Sequence, residues 1–191
     1  MRTECFDMSF IIKHGHFLLS SGLHSSVYNQ TALISQDPQQ CKTIISKIIG
    51  LLHSSQFDIV LSPAMGAVVF GYELACQAGK RFLYAERRDT HMRLHRDQAI
   101  AARSRVLVME NVITTGGTSE ELFDLVSRAG GQIAGVASLV VRQLAPFSWE
   151  KTVPLFSLHR TDMPTYAASV CPLCQDHVEL TIPGTTWVGR P

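Results

Sequence analysis

Between residues 38 and 141 short apolar runs alternate with stretches of helical spacing. That alternation restricts the possible folds more than any other feature of the chain. Asp37 is a candidate helix cap and Pro38 suits a first turn. In the run QQCKTIISKIIGLLHSS that follows, Ile44, Ile45, Ile48, Ile49 and Leu52 share one stripe. FDIVL (57–61) reads as a buried strand, SPAMGA as a turn, and VVFGYELACQA as a second helix stopping near Gly79. RFLYA (81–85), RVLVM (105–109) and QIAGVASLVV (132–141) are further strands. Thr118 with Glu121 predicts a capping box for a helix ending at Gly130 and Gly131. Parallel strands need crossover connections, and helices supply them, so the expected class is α/β: a mostly parallel sheet flanked by helices. The two ends fit the alternation less well. The expectation is one domain over 1–191, with a core of about 41–146 and a small hood from about 1–40 plus part of 147–191.

Composition removes several functional classes. A chain of 191 residues, 46% hydrophobic, 17% charged and with a formal net charge of +1, suits neither disorder nor wholesale polyanion binding. Phosphate recognition must be local, and no nucleic-acid partner is expected. Glu4 and Asp7 interrupt the first apolar residues, and no run approaches the roughly 20 apolar residues of a membrane span, so a soluble, unexported chain is expected. Five cysteines (Cys5, Cys41, Cys76, Cys171, Cys174) are an odd number, and two fall in helical patterns, which suits reduced thiols and a cytoplasmic location.

The stretch VLVMENVITTGGTS (106–119) ends a strand on Glu110 and opens a helix near Thr118. Ligands of parallel α/β sheets bind at that end of the strands. Thr114, Thr115, Gly116 and Gly117 make a tight loop whose glycines permit close backbone approach, with the N–H groups of a helix start beyond it, so a phosphate suits it. No lysine follows the glycines, which argues against a Walker-type loop, and no G-x-G-x-x-G occurs. The acidic residue ahead of the loop can accept hydrogen bonds from sugar hydroxyls, and a ribose 5-phosphate spans such a distance. The same residues also fit a plain strand-to-helix turn.

This segment resembles the phosphoribosyl-diphosphate signature of the type I phosphoribosyltransferases: a hydrophobic strand, two acids, then V-[IV]-T-T-G-G or a close variant. GHFLLSSGLHSSVYNQ (15–30), SPAMGAVVFGYELA (62–75), YAERR (84–88), VVRQ (140–143) and CPLC (171–174) resemble, in order, blocks of the orotate phosphoribosyltransferases. The resemblance implies a parallel-sheet core with a hood. It also implies transfer of ribose 5-phosphate from phosphoribosyl diphosphate to orotate, giving orotidine 5′-phosphate and diphosphate with Mg2+ in pyrimidine biosynthesis. Glu110 and Asn111 take the places of the two acids on the ribose hydroxyls. Val112, Ile113, Thr114, Thr115, Gly116, Gly117 and Thr118 would wrap the 5-phosphate. Thr114 and Arg142 would face orotate, with Ser21, Gly22 and Tyr28 in the hood segment over the base. By their residue types alone, Arg142 equally suits a solvated strand end and Tyr28 a core position. The residues between RFLYA and RVLVM resemble a flexible loop closing over the diphosphate from a neighbouring subunit, which implies a homodimer. That loop offers Arg87 and Arg88 to the diphosphate and Arg88 and His91 to catalysis, among Arg93, His95 and Arg96, whose charge would stabilise the departing diphosphate.

Three positions depart from the resemblance. Asn111 replaces the second acid and brings no negative charge, the loop MRLHRDQ contains no lysine, and Gly66 stands where many relatives carry a lysine after P-A-x. These departures keep open a catalytically weak sensor of phosphoribosyl diphosphate or a nucleotide, and a transferase for another base. Cys171 and Cys174 form one C-x-x-C with no second pair after it, and His159 and His177 are unpatterned, so no metal site is expected. His14 and His16 read as hood or surface residues.

Overall fold

A computed structural model of the chain describes residues 9–52, 56–89 and 91–183. Glu4, Cys5 and Asp7, and the last three residues of the QQCKTIISKIIGLLHSS run, lie outside these. The chain divides into two compact units: residues 31–161 form one, and the segments on either side, up to residue 30 and from residue 162, form the other.

In the flanking unit, β1 (Ile12–Leu18) and β2 (His24–Asn29) form an antiparallel hairpin. The larger unit runs α1 (Ala32–Ser35), α2 (Pro38–Leu52), β3 (Ile59–Pro63), α3 (Val68–Ala78), β4 (Arg81–Arg88), β5 (His91–Leu94), β6 (Arg105–Ile113), α4 (Gly117–Arg128), β7 (Gln132–Val141) and β8 (Leu155–Arg160). Its sheet has the order β5-β4-β3-β6-β7-β8, parallel throughout except for the β4–β5 hairpin. The α5 turn (Pro172–Gln175) returns to the flanking unit.

The helices form where the pattern places them. Asp37 Oδ1 accepts hydrogen bonds from Gln39 N–H (2.9 Å) and Gln40 N–H (3.2 Å), capping α2. Cys41, Ile44, Ile45, Ile48 and Leu52 are buried on its inner face, and Ile49 sits half-buried at the margin. β3, β6 and β7 occupy the middle of the sheet, and their Ile59, Leu61, Val106, Val108, Val136 and Val141 pack with Leu122 and Val126 of α4. Strands covered on both faces read as continuous apolar runs, as these do.

Two expectations need correction. The segment between RFLYA and RVLVM, expected as a loop, is not loop throughout: β4 continues to Arg88 and pairs with β5, because Met92 and Ile100 are buried and anchor the return to the core. The capping box at Thr118 does not form. α4 begins at Gly117 with Gly116 as its cap, and Glu121 turns instead to Arg87. β8 is an addition to the sequence reading. Every residue of this edge strand is half-buried, so it carries little alternation to detect.

Candidate active site at the carboxyl ends of the central strands

The ends of β3, β6 and β7 converge because the strands are parallel neighbours. Val112 and Ile113 of β6 register with Val140 and Val141 of β7, and Arg142 N–H donates to Ile113 O at 2.9 Å. From this fixed edge the chain enters the turn Thr114–Thr115–Gly116. Gly116 has φ +83, and a Cβ there would lie 3.0 Å from both Phe147 Cδ1 and Trp149 Nε1. Left-handed backbone and lack of space together require glycine. The two rings stack with centroids 5.0 Å apart, and Phe123 of α4 packs edge-on to Trp149 at 5.5 Å. Beneath them Arg160 forms an ion pair with Glu150 (2.8 Å) and donates to the carbonyls of Gln143 and Ala145. Glu150 in turn accepts from Phe147 N–H at 2.7 Å. That partly buried, hydrogen-bonded pair fixes the aromatic floor on which the loop rests.

No side chain caps α4 at Gly116, and the first backbone bond of the helix runs from Glu120 N–H to Gly116 O (3.0 Å). The preceding N–H groups of the first turn have no partner inside the helix, a geometry suited to an anion. Thr114 and Thr118 are half-buried and Thr115 is exposed, so the loop presents hydroxyls as well as amides.

Glu110, five per cent exposed, accepts a hydrogen bond from Ser119 Oγ. Burial pushes its carboxyl up to about 7; the Ser119 hydrogen bond opposes the rise and nearby Glu121 adds to it. Asn111 is half-buried and donates from Nδ2 to Thr31 Oγ1 at 2.8 Å, which leaves its carbonyl oxygen as an acceptor. The turn after β3, with a cis Ala64–Met65 bond, brings Gly66 so near that a Cβ there would lie 2.9 Å from Asn111 Nδ2. Arg142 is buried at the end of β7.

The arginine-rich hairpin is already engaged. Arg87 donates both terminal nitrogens to Glu121 (2.8 and 3.0 Å), and Arg88 and Arg96 lie 3.5 and 3.3 Å from the two oxygens of Glu86. Arg88, His91 and Arg93 are exposed. Within the flanking unit, Ser21 is exposed in the β1–β2 turn, and half-buried Tyr28 lies 5.7 Å from Phe17, ring to ring. Sequence reasoning did not find Thr31, Ser119, Phe147, Trp149, Glu150 or Arg160. Apart from Ser119 they support the site from positions distant in the chain, and the aromatic spacing of FSWE is the one local signal that could have pointed to that segment.

The fold and these residues have known counterparts. A family model described as "Phosphoribosyl transferase domain" matches residues 33–163. The orotate phosphoribosyltransferase of Caldanaerobacter subterraneus is 38% identical over 182 residues, covering 95% of each chain. That of Caldicellulosiruptor bescii is 39% identical over the same length, again covering 95% of each. Among solved structures, the orotate phosphoribosyltransferase of Aeropyrum pernix superposes with a TM-score of 0.67 at 21% identity, covering 84% of this chain and 93% of that one. An adenine phosphoribosyltransferase from Thermoanaerobacter pseudethanolicus gives 0.66 at 19% identity, covering 80% and 97%.

Proposed function

Because the chain belongs to the phosphoribosyltransferase family, we propose that it transfers the ribose 5-phosphate group of phosphoribosyl diphosphate to orotate, giving orotidine 5′-phosphate and diphosphate for pyrimidine synthesis. One observation carries this reading most directly: the glycine-started, uncapped α4 lies one loop beyond a buried carboxylate at the end of a central strand. The curated relatives that share nearly its whole length bear the orotate name.

In this reading the amides and hydroxyls of Val112 to Thr118 hold the 5-phosphate. Glu110 and the Asn111 carbonyl accept hydrogen bonds from the ribose hydroxyls. Arg142 and Thr114 face the base, with Ser21 and Tyr28 proposed as further base contacts on the sequence resemblance. Arg87, Arg88 and His91 supply charge for the diphosphate, and Arg87 must first exchange Glu121 for it. Mg2+ prefers hard oxygen ligands and is commonly held by one or two carboxylates plus substrate phosphates. Here the carboxylate of Glu110 and the amide oxygen of Asn111 fit that pattern, so the ion would be held chiefly by the diphosphate, whose charge it offsets.

A homodimer is also proposed. Val69 and Tyr72 are 47% and 58% exposed on α3, an apolar surface that a second copy would cover. No helix of the described residues is long and apolar enough to cross a membrane. The free thiols of Cys41, Cys76, Cys171 and Cys174 suit the cytoplasmic location we propose.

The test is loss of orotate absorbance when the purified chain meets orotate, phosphoribosyl diphosphate and Mg2+, with adenine in a parallel reaction. Turnover of orotate alone is expected. Turnover of adenine instead, or tight binding of the sugar diphosphate without turnover of either base, would overturn the assignment in favour of another base or a sensor.

A further inference from the structure

Four side chains of the flanking unit, His16 of β1, His24 of β2, and Cys171 and Cys174 around α5, place one ligand atom each within 4.8 Å of all the others. We propose that they form a closed, tetrahedral Zn2+ site, separate from the transferase chemistry, that ties the N-terminal hairpin to the C-terminal segment of this unit.

The local structure aims all four inward. β1 carries a bulge between His14 and Phe17, where the register to β2 slips by one residue, so that His16 and Phe17 are consecutively buried. β2 places His24 opposite Leu18, making it a diagonal neighbour of His16 on the hairpin. Cys171 is the cap residue of the one-turn α5, and Gln175 N–H donates to Cys171 O (3.2 Å), a tight turn that brings the Cys171 and Cys174 sulfurs to the same side. His16 is 2% exposed, His24 6% and Cys171 0%, whereas Cys174 is half-buried.

The distances suit zinc. Tetrahedral bonds of about 2.3 Å to sulfur and about 2.0 Å to nitrogen imply sulfur–nitrogen edges of about 3.5 Å. Here Cys171 Sγ and Cys174 Sγ lie 3.6 and 3.7 Å from His16 Nε2, and Cys174 Sγ lies 3.3 Å from His24 Nδ1. His16 Nε2 and His24 Nδ1 are 2.9 Å apart, so an ion between them would spread the rings by a few tenths of an ångström. His16 Nδ1 donates to Val178 O at 2.8 Å, which puts the proton on Nδ1 and leaves Nε2 with a lone pair facing the cluster. A carbonyl partner on the outer nitrogen is the usual second contact of a metal-bound histidine.

Hydrogen bonding alone accounts poorly for the cluster. The single lone pair of His16 Nε2 would serve three groups at once: His24 Nδ1 and both thiols. A cation at the centre satisfies all four. Binding releases the two thiol protons to solvent, and two thiolates with two neutral imidazoles around Zn2+ carry no net charge, which suits a mostly buried position. The two segments are too short to build a large core, and small folds commonly use a metal as a staple.

The experiment measures zinc in the native chain after purification under reducing conditions and exhaustive dialysis, then removes it with a chelator and adds Co2+. About one equivalent of zinc per chain is expected, with visible tetrahedral Co2+ bands, near-ultraviolet thiolate charge transfer and a lower melting temperature for the chelated protein. Cys174→Ser and His24→Ala should each lose most of the metal. His24→Cys should keep one equivalent with stronger charge transfer, and Cys76→Ser, at an exposed thiol on α3, should change nothing. Substoichiometric zinc together with a Co2+ spectrum lacking thiolate charge transfer would overturn the proposal, and both are read on the native chain whether or not the variants fold.

Discussion

On the proposed function the turn before α4 and the arginine hairpin meet opposite ends of the same substrate, yet they are built differently. The turn from Thr114 to Gly116 is set by the backbone: it leaves a central strand, turns at a left-handed glycine and rests on Phe147 and Trp149, which Glu150 and Arg160 hold. The hairpin of β4 and β5 is set by its side chains: Met92 anchors it, and its arginines are shared among Glu86 and Glu121. Packing makes the first region rigid before substrate arrives. The second must exchange one set of charge pairs for another, so a lesion in the loop should be severe and a lesion in the hairpin graded.

Gly116→Val is the strongest test of that contrast. The substitution imposes a β-branched side chain on φ +83 and drives Cβ against two rings 3.0 Å away. We expect kcat/KM to fall by roughly 100-fold or more, as for loss of fixed oxyanion donors, with a lower melting temperature. Near-native turnover would mean that the loop adapts and the aromatic floor does not define it.

Glu110 gives the next largest effect. Its carboxyl titrates at about 7, raised mainly by burial, so the folded protein holds this proton more tightly than the unfolded chain does. The associated stability is complete below the ordinary value of 4.5 and is lost as pH rises to about 7, up to about 3 kcal/mol in all. Activity should run the other way, because the ionised form is the better acceptor for ribose hydroxyls: kcat/KM should rise between about pH 6 and about pH 8. Glu110→Gln should lower kcat/KM roughly tenfold and flatten both profiles, measured by initial rates and by thermal melts across that range. A melt profile unchanged by the substitution would show that another group titrates there.

How far these features could be read in the sequence follows the same division. The central strands and α2, α3 and α4 were legible because burial on both faces, or on one helical stripe, leaves a periodic record. The turn between β6 and α4 was legible because its residues follow one another in the chain. Thr31 beside Asn111 and the Phe147–Trp149 floor beneath Gly116 were not, because each meets its partner across tens of residues. The expectation of no metal at Cys171 and Cys174 rested on spacing alone, and the structure brings His16 and His24 to them through a bulged hairpin and a returning C-terminal segment. The capping box failed for a related reason: Glu121 had a long-range partner, Arg87, that local propensity does not count.

That pair supplies a smaller, graded prediction for the hairpin. The Arg87–Glu121 ion pair is roughly 40% exposed, so breaking it should cost no more than about 1 kcal/mol of stability. If Arg87 turns to the diphosphate, Arg87→Ala should raise KM for phosphoribosyl diphosphate several-fold, whereas Glu121→Ala, which removes a competing partner of the arginine and a charge that holds the Glu110 carboxyl up, should leave KM equal or lower. Equal losses from both variants would assign the pair to holding the hairpin on α4 and leave the diphosphate to Arg88.

The last and smallest effect concerns the departures at Asn111 and Gly66. A Cβ on Gly66 would touch the Asn111 amide, so these two positions are direct neighbours across the ends of β3 and β6. The resemblance implies an acid at the first and, in many relatives, a lysine at the second, so an anion and a cation are absent together and the local charge balance is kept. Asn111→Asp alone therefore adds an anion without its counterion. Thr31 can still support it, since its hydroxyl can donate to a carboxylate where it now accepts from an amide. We expect orotate turnover to rise by a few-fold, because a carboxylate stabilises the cationic ribosyl centre better than an amide does. Gly66→Lys alone should slow the reaction by displacing Asn111, and the double variant should exceed the product of the two single effects, as expected of groups in contact. Strict additivity would mean that the two sites act independently, and that the paired loss of charge is not what sets the rate.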